Sequence, residues 1–585
     1  MPPWTHKLSA GLSLALQTPP VPAIPSLFLS RGIVPTGLQP SSPNPDSLEV
    51  FLRCDPEADI EVPDVHICQL RGSVRTAVVP SHRIAELASH PRVRHLTESV
   101  QLKPSLDVAL PLIRVPGFRH RTGFSGQGVI LGIVDSGIDT SHPAFAGRVL
   151  MVWDQTRPGT GRGRFRKGRV LTGAELGRST DESGHGTHVA GIAAGNDPTY
   201  AGVAPGAQLI VAKTTFANSD IGDAIHFIFE EAARLGRPAV VNLSLGGHHD
   251  AHDGTDDLSA LIDDVSGPGR IVVAAAGNEG EDPIHARVTV PPGGQATLPM
   301  VVLAEPSLPP ASQLVLNGWY TGRTRCSVQL VDPAGNTTSA QLPSNSDASG
   351  QAVSTTRLGS AWARIVSPPA EAAINGDHQF IVELVAPRGS ALRPGTWNLQ
   401  LHNAGSETAV IDVWLPNAHL VGFPASVATR NCLVGSPACA TQAIAVGAFV
   451  SRNHWIDQAG QLRQFQHMPA GSMAGFSSPG PRRDGHPKPD ICAPGAFLVS
   501  CRSSDAEPHP DRQVHPQWIA MPGTSMASPV VAGLVALLLE SNPDLTPEQV
   551  RARLIAASAI PGRPPAGGHD PHWGWGLIDT SRLIP

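Results

Sequence analysis

Residues Val129–Val134 read VILGIV and run directly into Asp135-Ser136-Gly137-Ile138-Asp139. An apolar run without alternation is the pattern of a strand covered on both faces, as in a parallel sheet flanked by helices. Comparable runs recur at Leu209–Ala212, Ala239–Leu245, Ile271–Ala276 and Ala443–Phe449, with helical stretches at Ile221–Leu235 and Leu258–Val265. This alternation predicts an α/β fold. Asp135 then sits at the carboxyl end of a buried strand, the side on which open α/β sheets build ligand sites.

Working outward, the buried-strand texture breaks at about Ile284. Only short alternating runs follow: Ala286–Val290, Thr297–Leu303, Gln313–Leu316, Ser327–Val331, Phe380–Val385 and Trp397–Leu401. Turn chemistry at Asp332–Asn336 and Arg393–Gly395 separates some of them, which predicts an all-β insert, a sandwich or jelly roll, over residues 284–420. The α/β domain is therefore expected in two pieces, 111–283 and 421–585. Its last helices are expected at Ser525–Leu539 and Val550–Ala556, the second opened by Thr546-Pro547-Glu548-Gln549 as a capping box.

Before the first buried strand, residues 47–110 read as a small α+β domain. Leu48–Arg53 alternates as a strand, Val65–Val79 holds two β-like runs, His82–His90 reads as a helix with Ser81 as its N-cap, and Val93–Leu96 returns as a strand. Residues 1–46 read as a leader closed by Pro40–Asp46. Lys7 before Leu8–Leu16 resembles a short signal h-region but lacks a clean small-residue cleavage site, so a helix or strand of an N-terminal domain is the expectation. This leaves secreted and cytoplasmic locations both open.

Composition narrows the function classes. The chain has 585 residues, a formal charge of −6 and only 16% charged residues, which excludes a polycation built for nucleic acid. With 41% apolar residues, 59 Gly and 57 Pro it is a turn-rich globular chain rather than a disordered one. The longest apolar run, Pro529–Leu539, is shorter than the roughly 20 residues that span a bilayer, so no membrane span is expected. Seven cysteines without a CxxC pair argue against a disulfide framework or a zinc ribbon, leaving single bridges such as Cys432–Cys439 or Cys492–Cys501 open.

Three segments carry chemistry: Asp135–Asp139, His185-Gly-Thr-His-Val-Ala-Gly191 and Gly523-Thr-Ser-Met-Ala-Ser-Pro529. A serine hydroxyl becomes a nucleophile when a neutral imidazole takes its proton, and a carboxylate holds that imidazole in the right tautomer. Ser525 at a helix start also aims its own N–H at a developing oxyanion. Ala274–Gly280 (AAAGNEG) ends another buried strand, placing Asn278 to supply a second donor.

The order Asp–His–Ser on DSGID, HGTHVAGIAAG and GTSMASP, with VVNLSLGG and AAAGNEG between, resembles the subtilisin-like serine proteases, the subtilases (peptidase S8). FSSPG at Phe476–Gly480, KPDI at Lys488–Ile491, APG at Ala493–Gly495 and GWGLID at Gly574–Asp579 add to the likeness, which spans Gly128–Glu281 and Val421–Asp579. The resemblance implies a self-processing serine endopeptidase that works through an acyl-enzyme and needs no cofactor. Asp135 would orient, His185 would act as base and acid, and Ser525 would be the nucleophile, with Asn278 and the Ser525 N–H forming the oxyanion hole. Ser244, Leu245, Gly246 and Gly247 would pair with a protein or peptide substrate as an added strand. Ala275, Ala276 and Gly277 match the wall of the family's first side-chain pocket. The β insert is similar to that of Csp-type germination proteases. The N-terminal domain resembles a family propeptide, a chaperone and inhibitor cut between about Val100 and Leu112.

The remaining polar groups have plainer expectations. His188 reads as a packing residue and Asp139 as a turn carboxylate. The His248, His249, Asp250, His252, Asp253, Asp256, Asp257 cluster reads as a polar loop without metal-site spacing. Family calcium sites find little support in Asn196–Gly202, where Asp197 is the one carboxylate. Arg162, Arg164, Arg166, Lys167 and Arg169 read as an exposed, solvated loop, with contact to an acidic partner as the alternative. Two other activities use the same scaffold: peptide ligation or macrocyclisation by the same triad, and binding without catalysis.

Overall fold

The computed structural model describes residues 47–67, 74–98, 106–165, 167–343, 353–368, 370, 373–416, 420–507, 509–563 and 568–584. The expected leader, Cys68 and Arg166 lie outside them. The chain divides into two compact units, Met1–Lys103 and Pro104–Pro585.

The first unit is a four-stranded antiparallel sheet in the order His66–Ile67, Val74–Pro80, Ser47–Cys54, Val93–Glu98. Helix Ile84–Ser89 covers it, and Leu52, Val79, Ile84, Leu87, Val93 and Leu96 form its core. Ser81 is not the expected N-cap. It begins a short 3-10 turn behind Pro80, and the α-helix starts at Ile84 without a side-chain cap.

In the second unit, a ten-stranded sheet runs Ser558–Ala559, Leu577–Ile578, Ile491–Pro494, Ile444–Phe449, Arg270–Ala275, Ala239–Leu243, Ile130–Asp135, Gln208–Lys213, Val149–Asp154, Arg169–Thr172. From Ile491–Pro494 to Val149–Asp154 every pairing is parallel. The VILGIV run splits between two cores by alternation. Val129, Leu131 and Ile133 face helices His185–Ala194 and Thr524–Ser541, while Ile130 and Val134 face helices Asn218–Arg234 and Asp257–Val265. That is why every residue of Ile130–Asp135 is buried. Helix Thr524–Ser541 has a mean hydropathy of 1.5, enough to cross a membrane by composition, but Thr524–Leu539 is buried as the central core helix. The capping box forms as expected at Thr546 and Gln549 ahead of Pro547–Ala556.

Helix Leu106–Leu112 places Ala109 and Leu110 in this second core, beside Ile113, Val115 and Phe118. The division between units accordingly falls earlier than residue 110. Thr580 ties the segment down, with both its N–H and its hydroxyl donating to the Ile113 carbonyl.

The β insert leaves after strand Arg270–Ala275 and returns before Ile444–Phe449, which is the next strand of the same sheet. The excursion therefore closes on itself and leaves the parallel ladder intact. It is a sandwich of two antiparallel sheets. One has the order His285–Val290, Ala409–Trp414, Gln313–Tyr320, His378–Val385, Ala361–Val366, Val353–Leu358, and the other Cys326–Val331, Gly395–Asn403, Gln295–Val302, Val421–Gly422. Alternate residues such as Phe380, Val382 and Leu384 point into a core with Trp397 and Trp414.

Cys432, Cys439, Cys492 and Cys501 are buried free thiols, so neither the 432–439 nor the 492–501 bridge exists. The basic stretch is not a free cationic patch either. Arg162 pairs with Glu231, Arg164 with Glu230, Lys167 with Asp220 and Arg169 with Glu175, so carboxylates of helix Asn218–Arg234 absorb most of its charge.

Gly132 shows how closely this fold packs. A Cβ there would lie 2.7 Å from Cγ2 of Ile228 on helix Asn218–Arg234. Gly132→Ala should therefore destabilise the second unit by about 1–3 kcal/mol, the usual cost of overpacking, read as a lower denaturant midpoint. An unchanged midpoint would show that the helix has room to shift.

Candidate active site

Strands Ile130–Asp135, Ala239–Leu243 and Arg270–Ala275 are neighbours and parallel, so Asp135, Ser244 and Ala276–Asn278 emerge side by side at their carboxyl ends. Ladder spacing of about 4.8 Å keeps these ends within roughly 10 Å of one another. Each is then tied to the start of a helix.

Asp135 is fully buried, and its Oδ1 accepts hydrogen bonds from His185 Nδ1 at 2.7 Å and from the Ser136 N–H at 2.7 Å. His185 opens helix His185–Ala194, which lies hard against the Asp135 loop. A side chain at Gly186 would meet the Gly137 carbonyl at 2.2 Å, so the small residue next to the imidazole is a packing requirement. Asp181, absent from the sequence reading, organises this junction. Its Oδ1 accepts from Ser136 Oγ at 2.8 Å and Gly184 N–H at 3.0 Å. Its Oδ2 accepts from Thr187 N–H at 2.8 Å and Thr187 Oγ at 2.6 Å. An Asp shortly before a small-residue helix is a capping signal, and that could have found it. Burial favours the neutral imidazole of His185. The charge and hydrogen bond of Asp135, with the charge of Asp181, outweigh it and leave His185 above its ordinary pKa of 6.5.

Ser525 is the second residue of helix Thr524–Ser541 and is nearly buried. Its hydroxyl donates to the Ser244 carbonyl at 3.2 Å, and no hydrogen bond joins it to His185. Behind it runs a closed polar chain. Ser528 Oγ donates to Asn242 Oδ1 at 2.7 Å, Asn242 Nδ2 to Ser244 Oγ at 2.9 Å, and Ser244 Oγ to the Ser525 carbonyl at 2.7 Å. The start of the helix and the end of strand Ala239–Leu243 are thereby locked together.

Asn278 accepts from Thr524 N–H at 2.8 Å and Thr524 Oγ at 3.0 Å through the same atom. Only an oxygen accepts from an N–H, so the amide orientation is settled and Nδ2 remains as the unspent donor. Of the first N–H groups of the helix, Thr524 is taken by Asn278 and Met526 by the Gly523 carbonyl. Among the described residues, the Ser525 N–H has no partner. Two donors therefore stand beside the serine hydroxyl, which is the arrangement that stabilises a carbonyl oxygen as it gains charge.

Gly247 donates to the Ser436 carbonyl at 3.0 Å, so the stretch Ser244–Gly247 is backed by the returning chain. Beside it opens a cavity of about 180 Å³ lined by Phe216, Ile221, Leu245, Gly247, Leu258 and Pro437, among others. Phe216 is half-exposed at its rim with φ +66, a strained backbone for a bulky residue. No periodicity in the sequence marks it.

His188 and Asp139 take the plainer roles expected of them. His188 is buried, with Nε2 at 3.1 Å from the Leu498 carbonyl and 3.0 Å from that of Ile519, and burial lowers its pKa to about 3. Asp139 accepts from Ser141 and Ser504 and ties two loops. Among the described residues, no group of three or more His, Cys, Asp or Glu side chains is arranged to hold a metal ion. His248, Asp250 and His252 are instead buried against the β sandwich.

Comparison with known proteins agrees with this geometry. The profile of the subtilase family (Peptidase S8) matches residues 126–371 and 426–576. Serine protease AprX of Bacillus subtilis is 38% identical over 118 residues, 20% of this chain and 26% of AprX. Subtilisin E of the same organism is 30% identical over 222 residues, 37% of this chain and 52% of subtilisin E. Subtilisin-like protease PopC of Myxococcus xanthus is 30% identical over 263 residues, 41% and 49% of the two chains. The chain thus spans about half or less of the length of these relatives. The fold is similar to that of the Clostridium perfringens CspB protease, with a TM-score of 0.65 at 22% identity over 80% of this chain and 96% of that one. With the family profile matched over well over half of its length, this chain belongs to the subtilase family of serine peptidases.

Proposed function

We propose that the chain is a serine endopeptidase that hydrolyses internal peptide bonds. The observation that carries the reading is the pair of unspent donors, Asn278 Nδ2 and the Ser525 N–H, beside a hydroxyl at the same sheet edge as the Asp135–His185 pair. An extended substrate adds to Ser244–Gly247 as a strand, and its N–H competes for the Ser244 carbonyl that now holds the Ser525 hydroxyl. The released hydroxyl turns to His185 Nε2 and gives up its proton as Oγ attacks the scissile carbonyl. The oxyanion takes the two donors, and buried Asp135 stabilises the imidazolium. His185 then protonates the leaving amine, and water repeats the sequence to free the acyl group. The cavity beside Leu245 has an apolar wall of Phe216, Ile221 and Leu258 and a polar one of Asn218, His249 and Asp250, which suits a side chain with an apolar body and a polar end.

The proposal extends to synthesis as a zymogen. Because helix Leu106–Leu112 contributes Ala109 and Leu110 to the core of the peptidase unit, a cut inside it would unravel packed structure. Processing therefore falls within residues 99–105, between the two units.

A fluorophosphonate should label the wild type and leave Ser525→Ala unlabelled, and the mature wild type should begin within 99–106 while Ser525→Ala stays full length. No labelling of wild type would defeat the enzymatic reading. Asn278→Ala should lower kcat by roughly 10²–10³, the loss known for the corresponding asparagine of subtilisin, with KM little changed. The base works only when neutral, so activity should rise with pH through a midpoint above 6.5. Asp181→Asn keeps an acceptor but removes a charge that favours the imidazolium, so the acid limb of kcat/KM should move to lower pH. A limb that stays put would show that Asp181 acts by capping alone.

A further inference from the structure

Directly after the substrate strand, the chain enters a loop whose histidines form a directional chain to the oxyanion turn. His252 Nδ1 lies 3.1 Å from the Asp250 carbonyl, which can only accept, so that nitrogen carries a proton. His252 is fully buried, and burial together with the charges of His248 and His285 drives its pKa well down. It is therefore neutral, and its Nε2 is an acceptor. The bond of 2.9 Å between His252 Nε2 and His248 Nδ1 must then be donated by His248. The other nitrogen of His248, Nε2, faces Glu279 Oε2 at 3.4 Å. Burial raises the Glu279 pKa, but the hydrogen bond and charge of His248, with bonds from Ser478 and the Asn278 N–H, outweigh it and keep Glu279 ionised. Two lone pairs would repel across that gap, so His248 Nε2 also carries a proton.

The same Glu279 oxygen accepts the backbone N–H of Asn278 at 2.7 Å and Ser478 Oγ at 3.0 Å. Behind the chain stands the β sandwich. Trp414 stacks on His252 with ring centres 4.0 Å apart and on His285 at 4.6 Å. Asn317 Nδ2 donates to the carbonyls of His248 at 3.2 Å and Asp250 at 3.0 Å. The sandwich is thus seated on the loop that joins the substrate strand to the oxyanion turn.

We infer that His248 is a positioning residue for the reaction: its second proton holds Glu279, and through it the turn that carries Asn278, while Trp414 and Asn317 of the sandwich hold His248 in place. The inference rests on the reading of Asn278 as an oxyanion donor. The bridge joins the loop after Ser244–Gly247 to the turn that carries Asn278, so its loss should lower kcat and leave KM little changed. Glu279 and Asp282 face His248 from the turn, and Asp250, His249 and His252 from its own loop. His285 and Arg483 lie behind His252.

The test compares kcat and KM of wild type, His248→Gln and Glu279→Gln on one peptide substrate, with thermal melting to check folding. His248→Gln should lower kcat by roughly 10- to 100-fold, less than or up to the loss of the donor itself, with KM within about twofold. Glu279→Gln is the informative variant if His248→Gln fails to fold. The oxygen that accepts from Asn278 is the one that faces His248, so the amide keeps the first bond but carries no charge toward His248; kcat should fall less than in His248→Gln, again with KM within about twofold. Folded variants with wild-type kcat, or with KM raised and kcat unchanged, overturn the inference. Failure of wild type to hydrolyse or to label at Ser525 would instead defeat the peptidase reading.

Discussion

A single hydrogen bond of 2.7 Å, between a carboxylate at the end of a fully buried strand and the first side chain of a helix, organises one side of this molecule. A buried carboxylate is costly unless hydrogen bonds compensate it, and for Asp135 both come to Oδ1, from His185 and the Ser136 N–H, while Oδ2 has no partner among the described residues. The helix must therefore begin against the strand end. Small residues at its first turn and the four bonds accepted by Asp181 follow from that demand. Local backbone and side-chain choices agree because one buried charge requires them to.

The other side is organised by neutral polar groups. Ser528, Asn242, Ser244 and Ser525 form a chain in which each member is satisfied, and Thr524 joins Asn278 to the same helix start. A satisfied buried network is rigid, since breaking any link leaves a donor or acceptor without a partner. The hydroxyl of Ser525 is the exception in kind. Its single bond to the Ser244 carbonyl is long at 3.2 Å and can be exchanged for another partner. Rigidity everywhere except at one rotatable hydroxyl is what positioning for catalysis requires.

The β sandwich is inserted where it can matter most to this site. It departs a few residues after Asn278 and returns at the neighbouring strand, so its attachment lies on the turn that carries Asn278. Its Trp414 and Asn317 then reach the loop that follows Ser244–Gly247. A domain with its own core of Trp397, Tyr320 and Phe380 thereby becomes part of the support of the candidate site.

Much of this was legible in the amino-acid order. Runs such as Val129–Val134 and Ile271–Ala276 declare doubly covered strands, because a strand with helices on both faces has no solvent side to be polar. The segments around Asp135, His185, Asn278 and Ser525 stand at strand and helix ends, where side chains and backbone groups are free for chemistry, so the candidate residues could be picked out. What the order of residues could not carry was the partner of each polar group. Ser525 and Ser244 are 281 residues apart, Thr524 and Asn278 246 apart, and a hydrogen bond depends on distance and angle after folding. For the same reason the loop His248–Asp257 read only as a polar loop, although half of its residues are buried. The basic stretch read as free charge, although helix Asn218–Arg234 neutralises it. Periodicity reports which face a residue takes, and only the packed chain decides what that face meets.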